Sequence, residues 1–188
     1  MVFRKWHAHG FGGHADETVT LLRPLELRPG MTVVDIGSGP GRFTIPIAKL
    51  IAPGEVYAID VDEDSLEELQ RRAKEEGMTN VNVVRADVTK GIPLPEGLAD
   101  LALLANVLHD FIHEGASQVV LSNVKRLLKP GGRVAVFEFK PGLTSFGPPP
   151  WLRVVPDRVV EELRAAGLTA VSEPIDVANT HYLVIAKK

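Results

Sequence analysis

The 188-residue sequence contains no cysteine, which excludes disulfides, thiolate metal sites and a cysteine nucleophile. It has no run of about 18 apolar residues, so no membrane-crossing helix is expected. The opening residues, Met1-Val2-Phe3-Arg4-Lys5-Trp6-His7, lack the apolar core of a secretory signal. A cytoplasmic location follows as the simplest expectation. Neither sign of charge dominates, and a net charge of −3 with a pI near 6.1 gives no reason to expect nucleic-acid binding. What remains is the composition of an ordinary globular chain, 45% hydrophobic and 24% charged, of a length that suits one domain with a substantial core.

The stretch Val33-Val34-Asp35-Ile36-Gly37-Ser38-Gly39-Pro40-Gly41-Arg42-Phe43-Thr44 organises the rest. A short apolar run with β-branched residues reads as a buried strand. Three alternate glycines then turn the chain, and a helical pattern follows. Strand end, glycine turn and helix start together make a nucleotide-sized site in an open parallel sheet. The spacing is G-x-G-x-G rather than the dinucleotide G-x-G-x-x-G, and an acid, Asp35, precedes the turn. Glycines that serve packing alone are the bland reading of such a turn. Downstream, a second apolar strand over Val56–Ile59 ends in Asp60, close to the separation at which strand-helix-strand folds place a carboxylate on a ribose. A third strand, Val81–Arg85, is followed by Ala86-Asp87-Val88.

This ordered set resembles the class I S-adenosylmethionine (SAM)-dependent methyltransferases over about residues 16–188. The resemblance implies a three-layer, Rossmann-like α/β sandwich around a mostly parallel seven-stranded sheet whose last strand is antiparallel. It also implies SAM as cofactor. The turn Gly37, Ser38, Gly39 and Gly41 would lie against the amino-acid end of SAM, supported by Asp35. Asp60, with Val61 beside it, would take the ribose, and Asp87, with Ala86 and Val88, would take the adenine. Lys129-Pro130-Gly131-Gly132, before a fifth strand at Arg133–Phe139, is another recurring feature of that family. Within the class, Asn106–His109 and the Gly-Pro-Pro loop look most like the small ubiquinone/menaquinone-biosynthesis C-methyltransferases. The implied activity is methyl transfer to a small-molecule acceptor, with residues 16–188 as one methyltransferase domain. Residues 1–15, which hold His7, His9 and His14 among glycines, read as a flexible segment. His-x-His can ligate a metal, but a solvated glycine-rich tail is the plainer reading, and no metal is expected.

Strand four, Leu98–Ala105, runs into Asn106-Val107-Leu108-His109-Asp110 at the cleft between strands one and four. By the resemblance Asn106 and its neighbours touch the methionine part of SAM and the entering substrate. His109 has two readings, a proton acceptor or a structural, substrate-shaping residue. His109 and His113 share a metal-ligand spacing without an evident third ligand. Helices are expected at Asp16–Leu25, from near Gly41 to Ile51 with Pro46 as a possible kink, from Asp64 in a capping box with Glu67, at Ala116–Leu128, and from Pro156 to Gly167. Leu168–Ser172 and His181–Ala186 are expected to close the sheet.

Two other functions compete. A nicotinamide-dependent oxidoreductase would use the same sheet, but it often carries Tyr-x-x-x-Lys. Four residues beyond Tyr57 and Tyr182 stand Val61 and Ala186. A SAM-binding module without catalysis is the other alternative, and the residues alone do not exclude it.

Overall fold

The computed structural model describes residues 15–142, 147–177 and 179–188; the expectations for residues 1–14, including the three N-terminal histidines, lie outside them. Seven strands form one sheet in the order β3-β2-β1-β4-β5-β7-β6. They are β1 (Thr32–Ile36), β2 (Glu55–Asp60), β3 (Val81–Arg85), β4 (Ala99–Ala105), β5 (Leu128–Phe139), β6 (Ile175–Val177) and β7 (His181–Lys187). The first five pair in parallel, β7 runs antiparallel to β5, and β6 pairs antiparallel with β7. Helices α1 (Ala15–Leu22), α2 (Thr44–Ile51) and α3 (Glu63–Glu75) cover one face; α4 (Leu108–His113), α5 (Ser117–Leu127) and α6 (Pro156–Ala165) cover the other.

Side-chain alternation sorts each strand between two cores. Val33, Leu101, Leu103, Ala135 and Phe137 pack with α1 and α2, while Val34, Ile36, Ala102, Leu104, Val134 and Val136 pack with α4–α6. Burial on both faces is why these strands read as continuous apolar runs. At the N-terminal edge of the sheet, Asp100 of β4 clasps both neighbours. Its Oδ2 accepts from Thr32 N (2.8 Å) and its Oδ1 from Lys129 Nζ (2.8 Å).

Four details differ from the sequence reading. Helix α2 starts at Thr44, which leaves Pro46 in the first turn, where a missing N–H removes little. Helix α3 is capped by Asp62, not Asp64: Asp62 has extended backbone and accepts from Ser65 N (3.2 Å) and Ser65 Oγ (2.6 Å). Strand β5 begins at Leu128, before Lys129–Gly132, which bulges within it between the pairs Ala99–Leu128 and Leu101–Arg133. The expected strand Leu168–Ser172 contributes a single bridge, Thr169 to Lys187, and the edge strand is Ile175–Val177 instead. There Ala170 has positive φ (45°), and the Ser172 hydroxyl accepts from Ile185 N (3.0 Å) where a ladder carbonyl would.

Candidate functional site at the carboxyl edge of the sheet

The chain leaves β1 through a turn in which Gly37, Gly39 and Gly41 all have positive φ, 69°, 51° and 84°. The turn is tied to β2: Gly37 N and Ser38 N both donate to the Ile59 carbonyl (2.8 and 3.1 Å). The three glycines do different work. A Cβ on Gly37 would meet Val107 Cγ1 at 2.6 Å, and one on Gly41 would meet Leu69 Cδ1 at 2.2 Å; one on Gly39 would meet nothing within 4 Å. The outer glycines therefore serve close packing, and the middle one faces open space.

Asp35 lies beneath this turn, 1% exposed, and accepts from Thr44 Oγ1 at 2.6 Å. Burial pushes its pKa up to about 7, with the Thr44 hydrogen bond pulling down and the charge of Asp60 adding to the rise. Asp60 ends β2 beside the turn. Its Oδ2 accepts from Gly39 N (2.8 Å), and its Oδ1 from Val61 N (2.7 Å) and Asp62 N (3.0 Å). A carboxylate offers about four acceptor positions, so these amides leave a ribose about one. Ala86 N donates to the Asp60 carbonyl (3.0 Å), which ties the end of β3 to the same edge. Asp87 accepts at Oδ1 from Thr89 N (3.1 Å) and Thr89 Oγ1 (2.6 Å), while Lys90 Nζ stands 3.1 Å from Oδ2. The Thr89 hydroxyl, foremost, holds its carboxyl below the usual range. Val88 is buried, and its carbonyl accepts from Asn123 Nδ2 (2.8 Å).

Across the turn, Asn106 ends β4 with φ 59°, a conformation that asparagine tolerates better than most residues. Two buried polar atoms at this edge, Ser38 Oγ and Asn106 Oδ1, have no hydrogen-bond partner among the described residues. Buried polar groups are normally satisfied. Ser38 Oγ, next to the open-faced Gly39, and Asn106 Oδ1, just past the end of the neighbouring strand β4, are groups that a polar ligand would satisfy, which suits the amino-acid end of a SAM-like molecule.

His109 is placed differently from a surface base. It is 3% exposed, with Nδ1 at 2.9 and 3.1 Å from the two carboxylate oxygens of Glu138 and Nε2 at 3.5 Å from Asp110 Oδ1. Its backbone N–H also donates to Glu138 Oε1 (2.9 Å). Burial alone would lower its pKa, but the charge and hydrogen bond of Glu138, joined by Asp110, hold it above its ordinary value. A carboxylate at Nδ1 orients the ring and raises its basicity, so the geometry accommodates the proton-acceptor and the structural, substrate-shaping readings alike. His113, the other half of the metal spacing, instead points Nε2 at the Leu152 carbonyl (3.0 Å).

Glu138, Arg153 and His181 are polar residues of this edge that the sequence reading missed. Glu138 was detectable as a lone acid in the apolar run Val134–Phe139. Arg153, 8% exposed, gives hydrogen bonds to the carbonyls of Pro148, Lys140 and Gly142, and nothing local announces that.

Comparison with known proteins follows the same lines. A family model described as a methyltransferase domain matches residues 33–132. The chain is 37% identical over 119 residues to the ubiquinone/menaquinone biosynthesis C-methyltransferase UbiE of Ectopseudomonas mendocina, covering 62% of this chain and 45% of that protein. It is 35% identical over 151 residues to the protein of the same name from Burkholderia cenocepacia, covering 75% and 60%. The chain thus spans between 45% and 60% of the length of these two relatives. Among solved structures, a SAM-dependent methyltransferase from Aquifex aeolicus superposes with a TM-score of 0.83 at 29% identity, covering 90% of this chain and 88% of that one.

Proposed function

Because the chain belongs to the methyltransferase-domain family, we propose that it binds SAM at the carboxyl edge of its sheet and transfers a methyl group to a small-molecule acceptor. The observation that carries this is the open face of Gly39 in the turn, with Ser38 Oγ and Asn106 Oδ1 at the same edge buried and without a hydrogen-bond partner among the described residues. The bound cofactor supplies a methyl group on a cationic sulfur. The chain's own residues hold and orient. The turn Gly37–Gly41 and Asn106 hold the amino-acid end, and Asp35 braces the turn from beneath through the hydrogen bond it accepts from Thr44. The remaining acceptor position of Asp60 takes a ribose hydroxyl. The end of β3, with Ala86, Asp87 and Val88, faces the base. His109, oriented by Glu138 at its Nδ1, stands toward the acceptor side.

Alignment of an acceptor with a methyl carbon is the main task left to the protein, and orientation of this kind removes on the order of 7–11 kcal/mol of barrier in favourable systems. The named relatives are C-methyltransferases, and a carbon acceptor is the reading we adopt. The test is calorimetry with SAM, followed by incubation with labelled SAM and candidate acceptors. Micromolar binding and label transferred to an acceptor carbon are expected. No binding would sink the proposal, and binding without transfer to any acceptor would favour the silent module.

A further inference from the structure

The glycine turn is also held from outside the strand ends, by helix α3. Two residues about one turn apart on that helix, Leu69 and Arg72, reach it. The Leu69 side chain packs where a Cβ on Gly41 would stand, and Arg72 Nη1 donates to the Pro40 carbonyl (2.5 Å). Helical spacing offers Arg72 two acids instead, Glu68 one turn before it and Glu76 one turn after. Both are engaged elsewhere: Glu68 pairs with Arg71, and Glu76 with Lys49 of α2. The half-buried Arg72 guanidinium therefore goes to a neutral carbonyl 32 positions away in sequence. The other end of the same dipeptide is fixed as well. Asp60 Oδ2 accepts from Gly39 N (2.8 Å), so Gly39 and Pro40 are gripped by an anion at the leading N–H and by a cation at the trailing carbonyl. Gly41 N then closes the turn on the Ser38 carbonyl (3.1 Å).

We propose that Arg72 is a positioning residue for cofactor binding: by holding the Pro40 carbonyl it fixes Ser38 and Gly39 in the conformation that receives the amino-acid end of SAM. The proposal rests on the SAM reading for the identity of the ligand. Glycine loses more backbone freedom on ordering than any other residue, and this turn has three of them in five positions. A turn left loose would have to be ordered by the ligand, at the expense of affinity. Hydrogen bonds with one ionised partner are the stronger kind, and the turn has such a bond on each side of Gly39-Pro40. Arg72 acts on the ligand only through the turn, so its influence is confined to the part of the ligand that the turn holds.

The test compares S-adenosylhomocysteine with 5′-methylthioadenosine, the same nucleoside without the amino-acid end, by calorimetry on the full chain. In Arg72→Gln, affinity for S-adenosylhomocysteine is expected to fall roughly tenfold or more, while affinity for methylthioadenosine stays nearly unchanged. Arg71→Gln removes the same charge from the neighbouring position, where Arg71 pairs with Glu68 and Glu75, and should change neither. Arg72→Lys, which keeps the charge and shortens the reach, should show the Arg72→Gln pattern with a smaller loss. Amide exchange in the ligand-free protein is the second readout: Gly39 and Gly41 should exchange faster in Arg72→Gln, with the amides of β1 unaltered. Unchanged affinity for S-adenosylhomocysteine, an equal loss for both ligands, or the same loss in Arg71→Gln would overturn the proposal. Failure of S-adenosylhomocysteine to bind the native protein would instead strike the cofactor reading, and the exchange rates would still decide whether Arg72 holds the turn.

Discussion

At the scale of single residues, the carboxyl edge carries charges under tension. Asp35 is ionised less readily in the fold than in the unfolded chain, its pKa near 7 against an ordinary 3.8. With respect to this group, stability is fully present below about pH 4 and is lost as pH rises to about 7. The full loss is about 4 kcal/mol. Asp35→Asn, which keeps an acceptor for Thr44, is expected to raise Tm at pH 8 by roughly 5 °C or more and by less at pH 5, while SAM affinity falls. Thermal scans at the two pH values check this; equal gains at both would sink it. For His109 the sign is the usual one for a paired histidine: stability from the Glu138 contact is present below its unfolded value and lost as pH climbs through the raised folded value. In Glu138→Gln, NMR titration should show His109 losing its proton at lower pH than in the native protein. The acids at strand ends were legible because each interrupts or closes an apolar run. The partnership of His109 with Glu138 was not, since it joins residues 29 positions apart that only the β4–β5 pairing brings together.

At the scale of elements, the glycine turn separates packing from binding. Gly41→Ala drives a Cβ into Leu69 at positive φ, and it should cost about 3 kcal/mol in denaturant unfolding. Gly39→Ala meets open space and should cost only about 1 kcal/mol for the backbone, yet it should lower SAM affinity at least tenfold by filling the open face of the turn. If Gly39→Ala binds SAM normally, the site is misplaced. The strand-turn-helix units were readable because period, glycine spacing and acid position all agree locally. Helix caps were less so: Asp60, Asp62 and Asp64 compete over five residues, and the backbone of Asp62 decided between them. The edge strand β6 was misplaced by a few residues because an edge needs little intrinsic propensity, only a neighbour to pair with.

At the scale of the molecule, the mostly parallel sheet and the antiparallel return of β7 were legible through the family resemblance carried by the glycine turn and the strand-end acids. Glu138, Arg153 and His181 were not, since they come from segments distant in sequence that only the fold brings to one edge. The central strands β1, β4 and β5 are buried on both faces, whereas β3 and β6 lie at the sheet's two ends. Hydrogen exchange should therefore be slowest in β1, β4 and β5 and fastest in β3 and β6; uniform protection would contradict this. The Asp100 clasp joins β1, β4 and β5 at the rim opposite the candidate site. Because that fastening is remote from the candidate site, substitutions at the carboxyl edge leave it intact, so a variant that loses binding there can keep its framework.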